Sequence, residues 1–574
     1  MSRSLVSALA FLLTPVVAFA QYPVFNLKDY RCKGDGKTND IAAFRRVAAL
    51  VNEAKGGTII FEPDRLYRVK LDEVGNEKPV SYPQENSVIM FFRNCEEVKI
   101  EMNGATIALD GNHRMEYAFF HFLGCASFSV SNGILIGDAI NHDYSDIIRY
   151  DKRVQSSHEW GYGIVVNGSK GVVRGMRISY MTGDGIKSGS INLKGGTLHA
   201  LLSVEDCDIS FCRRNGISIL SSLRTTVTRS TIHHIGSHGA ITGTRPMAGI
   251  DLEYEDKVGD QGDVIISSCQ IHDCTRRTVS SSNSTPPVPK SLTVENCHIQ
   301  GSSFLLSNVD AGEGVYVKNC VVENAPIQIG KAQISNTKFK LGNGVHYVTG
   351  GTYTDCVFEG TLEPSSSVYG CTIAGTSLDM AFFERCTFKD IRAANNSSPS
   401  YQGFSGYQFP LCATFRNCMF SNCSFVRGNP KNKSSFAFYD SQLRDKCLIH
   451  NLSDDIPIIF DSCTLTDVSS YQTQDGSYMF SKSTIEQLDK TVSQPLLLFG
   501  THTMDRCKVT DKVGVPVSAS SRYRVNSYRI NAKKSDFYFE SQEAITSGIN
   551  LTKGSVTGVS KNSFDGTYRS THFR

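Results

Sequence analysis

After its first twenty residues the chain has no run approaching the roughly 18 uninterrupted apolar residues that a membrane-spanning helix needs. An excess of one charge is missing too. With 59 Lys and Arg against 56 Asp and Glu, the net charge is +3 over 574 residues, which gives no general electrostatic reason to bind nucleic acid and leaves acidic ligands to a local patch. No Pro-rich or charge-rich linker divides the chain, so its length points to one elongated domain or a repeat array. A nucleotide loop is also lacking. "CKGDGKTND" (32–40) superficially resembles one, but Arg31 stands where the first glycine of G-x-x-x-x-G-K-[ST] belongs. Tryptophan occurs once, as Trp160.

Residues 1–20 carry Arg3, a short apolar stretch and Ala18-Phe19-Ala20 before Gln21, the pattern of a cleaved signal peptide. A secreted or periplasmic protein is expected. Eighteen cysteines would ordinarily mean disulfides in such a location, but their placement argues otherwise. They recur as a polar residue, Cys, any residue and an apolar one: DCDI (Cys207), SCQI (Cys269), NCHI (Cys297), NCVV (Cys320), DCVF (Cys356), GCTI (Cys371), RCTF (Cys386), NCMF (Cys418), SCTL (Cys463) and RCKV (Cys507). Alternation of this kind suits short half-buried strands, and irregular repetition suits solenoid coils. Stacked in parallel about 4.8 Å apart, the cysteines form an inward column of small hydrophobes, with Cys207 and Cys212 one candidate for an isolated bridge.

A solenoid must cover its first edge. Ile41, Phe44, Val47, Ala48 and Val51 share one helical face, Asn39 or Asp40 is placed to cap its start, and Gly56-Gly57 to end it. The segment 25–63, FNLKDYRCKGDGKTNDIAAFRRVAALVNEAKGGTIIFEP, resembles the amino-terminal signature of the pectate lyase-like superfamily. The resemblance implies an all-β, right-handed parallel β-helix with an N-terminal capping helix, in a group many of whose members act on polysaccharides. The expected organisation is signal peptide 1–20, N-terminal cap 21–70, β-helix 71–515, and C-terminal cap and tail 516–574.

Aligning coils on Ile178, Ile209, Ile232 and Ile271 gives ISYMTGDGI, ISFCRRNGI, IHHIGSHGA and IHDCTRRTV. The seventh position reads Asp184, Asn215, His238 and Arg277, one predicted surface column flanked by Lys187, Arg214 and Arg276. An excursion before the last coil brings Arg245 and then DLEYED, in which Asp251, Glu253 and Glu255 alternate with Leu252 and Tyr254. On an extended strand such acids lie about 6.5–7 Å apart on one face, within the roughly 6.5–9.5 Å of an inverting glycosidase pair, and oxygen donors so spaced also suit calcium. Trp160 and Tyr162, in HEWGYG, offer aromatic faces for a sugar one coil earlier.

Taken singly, each feature has an ordinary explanation as turn, solvated face or packing anchor. Their convergence predicts a site. For a glycoside hydrolase, Asp184 pairs with Asp251 or Glu253 as acid and base, while His238, Arg214, Asn215, Arg245, Arg277, Lys187, Trp160 and Tyr162 position substrate. TGDGI resembles the D-D coil of polygalacturonase-like members with a single acid, Asp184; SHGAI resembles their G-H-G coil through His238-Gly239; N-T-D and R-I-K are absent. The hydrolase needs no cofactor. A uronate lyase is the alternative, with Lys187, Arg214 or Arg277 as base and clamp and calcium on Asp251, Glu253 and Glu255. A non-catalytic carbohydrate-binding surface protein is the third.

Overall fold

The computed structural model describes residues 22–71, 85–145, 149–150, 153–154, 158–253, 262–281, 290–306, 314–342, 344–348, 350–360, 371–375, 380–395, 412–427, 436–445, 447–451, 457–470, 477–489, 501–511, 529–539, 549–557 and 567–573. The expected signal peptide and Glu255 lie outside them.

Alternation builds each coil. In Ala200–Glu205 and Asp208–Ser210, Leu202, Val204 and Ile209 point into the core while Leu201, Ser203, Glu205 and Asp208 are half-exposed; a third strand, Ile217–Ile219, closes the coil. Successive coils pair in parallel, so Ile178, Ile209, Ile232, Ile271 and Ile299 fall into one register. The first and second strands of the coils make a continuous 39-stranded sheet, and the third strands a separate 15-stranded one. The molecule is a parallel β-helix. Six third-column strands position the site: β1 (Glu116–Leu123), β2 (Trp160–Asn167), β3 (Ile186–Gly189), β4 (Ile217–Ile219), β5 (Ala248–Leu252) and β6 (Arg277–Ser281).

The polar residue of each cysteine motif is the bend between first and second strands. Asp206, Asn296, Asn319, Asp355 and Asn417 have φ of 51–54° there, a left-handed conformation that short polar side chains tolerate best. The following cysteine turns inward. Serine or threonine takes that rung on intervening coils: Ser230 Oγ accepts from the Cys207 amide at 3.1 Å, Ser441 from Cys418 at 3.1 Å and Thr337 from Cys320 at 3.4 Å. Every cysteine with a described side chain is buried and free. Two expectations are corrected. Cys207 and Cys212 form no bridge, because Cys212 sits at the next bend, after Phe211 (φ 54°). Cys371 is not a rung; it opens the third-column strand Cys371–Gly375, opposite Gly344.

The cap is α1 (Ile41–Glu53), which buries Ile41, Phe44, Val47, Ala48 and Val51. Asn39 Oδ1 accepts the Ile41 amide at 3.2 Å, whereas Asp40 turns back to the amides of Lys33 and Gly34 at 2.7 and 3.1 Å. In the loop before it, Asp35 gathers the Lys37 and Thr38 amides at 2.9 and 2.8 Å. Gly56-Gly57 do not end the helix. Lys55 adopts the left-handed bend (φ 59°), and the glycines begin the strand Gly56–Ile60, where a Cβ on Gly56 would lie 2.5 Å from Tyr22. At the other end, residue 515 does not close the stack: Arg529–Phe539 pairs in parallel with Thr501–Asp505 and Lys508–Asp511, and Ser535 holds the rung after Cys507. Among the described residues no helix is long and apolar enough to cross a membrane.

Candidate active site

Along the third column one outward row reads Phe91, His121, Val165, Lys187, Ser218, Asp251, Ser280, Leu305, each residue in register with the next. Parallel stacking puts neighbours about 4.8 Å apart. Four consecutive polar residues are therefore enclosed by apolar ones.

The turn entering β3 carries Asp184, and the Gly185 amide donates to Asn215 O at 3.1 Å, so these two residues are equivalent. In the next coil the equivalent is Ala248: the Gly216 amide donates to Ala248 O at 2.9 Å, and Ala248 is in register with Arg277. His238 thus does not belong to this row. The excursion 237–247 intervenes between its coil's second strand and β5, and His238 packs instead beside His234, with ring centroids 5.2 Å apart, on the second column.

Asp184 is wholly buried. It accepts from Ser218 Oγ at 2.8 Å, from the Asn215 amide at 3.1 Å and from Arg214 Nη1 at 3.0 Å. Asn215 Nδ2 donates to Ser218 Oγ at 2.9 Å, and its Oδ1 accepts the Ala248 amide at 3.0 Å. The other Arg214 nitrogen, Nη2, grips both oxygens of Glu253 at 2.7 and 3.0 Å. One guanidinium thereby joins two carboxylates from different coils. Burial raises the Asp184 pKa, with Arg214 opposing.

Asp251 and Glu253 share the outward face, as their alternation with buried Leu252 requires. Their environments pull them apart. Burial, then the Glu253 charge, pushes Asp251 well above the ordinary carboxylate range. For Glu253 burial also raises the pKa, but the Arg214 charge and its hydrogen bonds win and hold it below its usual value. Neither Asp251 oxygen reaches hydrogen-bond geometry with another group. Two carboxyl groups whose pKa values are pushed apart by their surroundings stand on one face, the arrangement by which acid and base roles are assigned.

Lys187 is buried in the same row, its Nζ 3.4 Å from Tyr162 Oη and 5.1 Å from that ring's centroid. Tyr162 is itself buried against Val88, Ala118 and Val165, so its ring presents no face to a sugar; half-buried Trp160 packs on the same cluster. Arg277 Nη1 donates to Ser280 Oγ at 2.8 Å, next in register to Asp251. Arg245 is exposed and, with Arg277, close enough to depress the pKa of Arg276, whose own burial is the larger cause.

Sequence reasoning missed a buried chain behind this row. Asp138 Oδ2 bonds His142 Nδ1 at 2.6 Å, His142 Nε2 meets His158 Nδ1 at 2.9 Å, and Asn112 Nδ2 donates to the same Asp138 oxygen at 2.7 Å. Arg213, also buried, donates to His158 O at 3.2 Å and Thr242 O at 2.7 Å and lies 4.6 Å over Tyr144. Tyr117 Oη accepts the Thr182 amide at 3.1 Å, two residues before Asp184. The set fastens three excursions around the Asp184 turn. Its members are scattered over 112–242 at no fixed period, so spacing gave no signal; only the Arg213-Arg214 pair was visible.

Residues 151–360 match the family model described as "Right handed beta helix region". The uncharacterized protein YclG of Bacillus subtilis is 27% identical over 40% of this chain and 38% of that protein. The SPbeta prophage-derived uncharacterized protein YorA, also of B. subtilis, is 30% identical over 31% of each. The chain thus spans well under half the length of the curated relatives it matches. Among solved structures it is similar to the A-module of mannuronan C-5 epimerase AlgE6 from Azotobacter vinelandii, at 11% identity, 81% of this chain, 94% of that chain and a TM-score of 0.29. With the coils of the described residues in parallel register and this match in their midst, the chain is similar to right-handed β-helix proteins and shares their fold.

Proposed function

We propose that the chain is an exported polysaccharide-degrading enzyme, a glycoside hydrolase whose reacting groups are Asp251 and Glu253. One observation carries the reading: two carboxyl groups on one face have their pKa values pushed apart, Asp251 upward by burial and Glu253 downward by Arg214. Asp251 gives its proton to the leaving glycosidic oxygen as the anomeric carbon–oxygen bond breaks. Glu253 takes a proton from the water that adds to that carbon. Being side by side, the pair resets when the proton on Glu253 returns to Asp251. Asp184, whose oxygens are engaged by Ser218, Asn215 and Arg214, is a positioning residue that holds the guanidinium.

Lys187 supports a second reading, β-elimination from a uronate, since a buried amine stands two coils from Asp251. Calcium fits the described residues poorly for that reaction: Arg214 already occupies the Asp184 and Glu253 carboxylates, and burial raises the Asp251 pKa. The test is incubation of the exported chain with neutral and uronate oligosaccharides. New reducing ends without an unsaturated product support hydrolysis, an ultraviolet-absorbing unsaturated uronate replaces it with elimination, and binding without either product leaves a carbohydrate-binding surface protein. Asp251→Asn and Glu253→Gln are each expected to lower turnover about 10²–10⁴-fold.

A further inference from the structure

On the second column, away from the reacting carboxylates, two neighbouring rows bring histidines together. His233 and His272 are in register, rings stacked at 5.2 Å. His234 and Asp273 follow them at the next bend, with φ of 53° and 51°. The excursion 237–247 lays His238 beside them, its Nε2 shielded from solvent and without a hydrogen-bond partner. One donor atom each from His234, His272 and Asp273 lies within 4.8 Å of the others.

The hydrogen bonds define where the lone pairs are. His233 Nε2 is 3.2 Å from Asp208 Oδ1 and its Nδ1 is 2.7 Å from His234 Nδ1. A carboxylate only accepts, so neutral His233 carries its proton on Nε2 and accepts at Nδ1. His234 is then the donor at Nδ1, and its Nε2 is left with a free lone pair. A carboxylate–histidine chain of this kind is what orients a metal-ligating imidazole. His272 Nδ1 and Asp273 Oδ2, 2.8 Å apart, share a proton that a cation displaces.

We propose that His234, His272 and Asp273 form a site for one zinc-class divalent transition-metal ion, with His238 beside it. Two imidazoles and a carboxylate are donors such ions take, at about 2.0–2.2 Å. The coils supply His234, His272 and Asp273 from rigid backbone, with the His234 amide bonded to His272 O at 3.3 Å. The site lies against the excursion that carries His238, whose far end Arg213 and Glu159 hold through Thr242 and Thr244, and which leads directly into β5. This inference is independent of the hydrolase reading.

The test is titration of the chelator-treated full chain with Zn²⁺ and Co²⁺, followed by calorimetry and by cobalt absorption. One ion per chain with intense tetrahedral cobalt bands is expected, together with a metal-dependent rise in melting temperature. His234→Gln and His272→Gln should each weaken binding by about ten-fold or more, while His298→Gln, one coil further along, leaves it unchanged; circular dichroism checks that each variant folds. Absence of saturable uptake, or uptake unaltered in the His234→Gln/His272→Gln double variant, overturns the proposal.

Discussion

Asp251 is the residue at which pH should act most visibly. Its folded pKa is raised, so the folded chain binds its proton more tightly than the unfolded chain does; this contribution to stability is complete below the ordinary value of 3.8 and is lost as pH rises through the folded pKa. Glu253, lowered from 4.5, acts oppositely, contributing above that value and fading as pH falls through its folded pKa. In urea unfolding across pH, Asp251→Asn should therefore remove a decline in stability on the alkaline side; an unchanged pH profile would contradict a protonated Asp251. Arg214 bridges Asp184 and Glu253. Arg214→Met leaves two largely buried carboxylates unpaired and should cost about 3–5 kcal/mol, measured by the same unfolding. At this scale the sequence was half legible. Asp251 and Glu253 declare themselves by alternation around Leu252, but the sorting of their protonation states depends on Arg214 arriving from another coil.

Close stacking of the elements explains the glycine that follows each turn residue. Gly185, Gly216 and Gly249 are in equivalent positions, and a Cβ on each would lie 2.5–2.7 Å from the carbonyl oxygen of the next coil. Gly216→Ala should destabilise the chain by about 1–3 kcal/mol, read as a lower melting temperature. Gly189→Ala, whose Cβ would meet only Leu220 at 3.6 Å, should not. The coils were readable because a buried apolar residue and a left-handed bend recur along the stack. The error at His238 has the same origin: Ser237-His238-Gly239 mimics the D-G and N-G turns, whereas the true turn, Ala248-Gly249, lies beyond an excursion whose length no periodicity encodes. Gly56-Gly57 misled for a related reason, since glycine ends helices and also lets strands pass close to a ring, and only the position of Tyr22 decides between them.

Across the whole molecule each coil touches chiefly its neighbours, so stability accumulates coil by coil. The rung at the first bend is interchangeable, being Cys207 on one coil and Ser230 on the next. Cys297→Ser is accordingly expected to shift stability by less than about 1 kcal/mol, and thiol-reactive dye should label the buried rungs only after denaturant is added, with no change in mobility on reduction. The solenoid was legible from the repeats; the far end was not, because Ser535 replaces the cysteine that marked earlier coils. The excursion 237–247 bears on the molecule's future as much as on its present. Register is continuous on both sides of it, from Ile232 to Ile271 and from Ile217 through Ile250 to Val279. A segment that leaves and rejoins the stack without disturbing either column can be exchanged as a cassette, giving the scaffold a route to new specificity that needs no new fold.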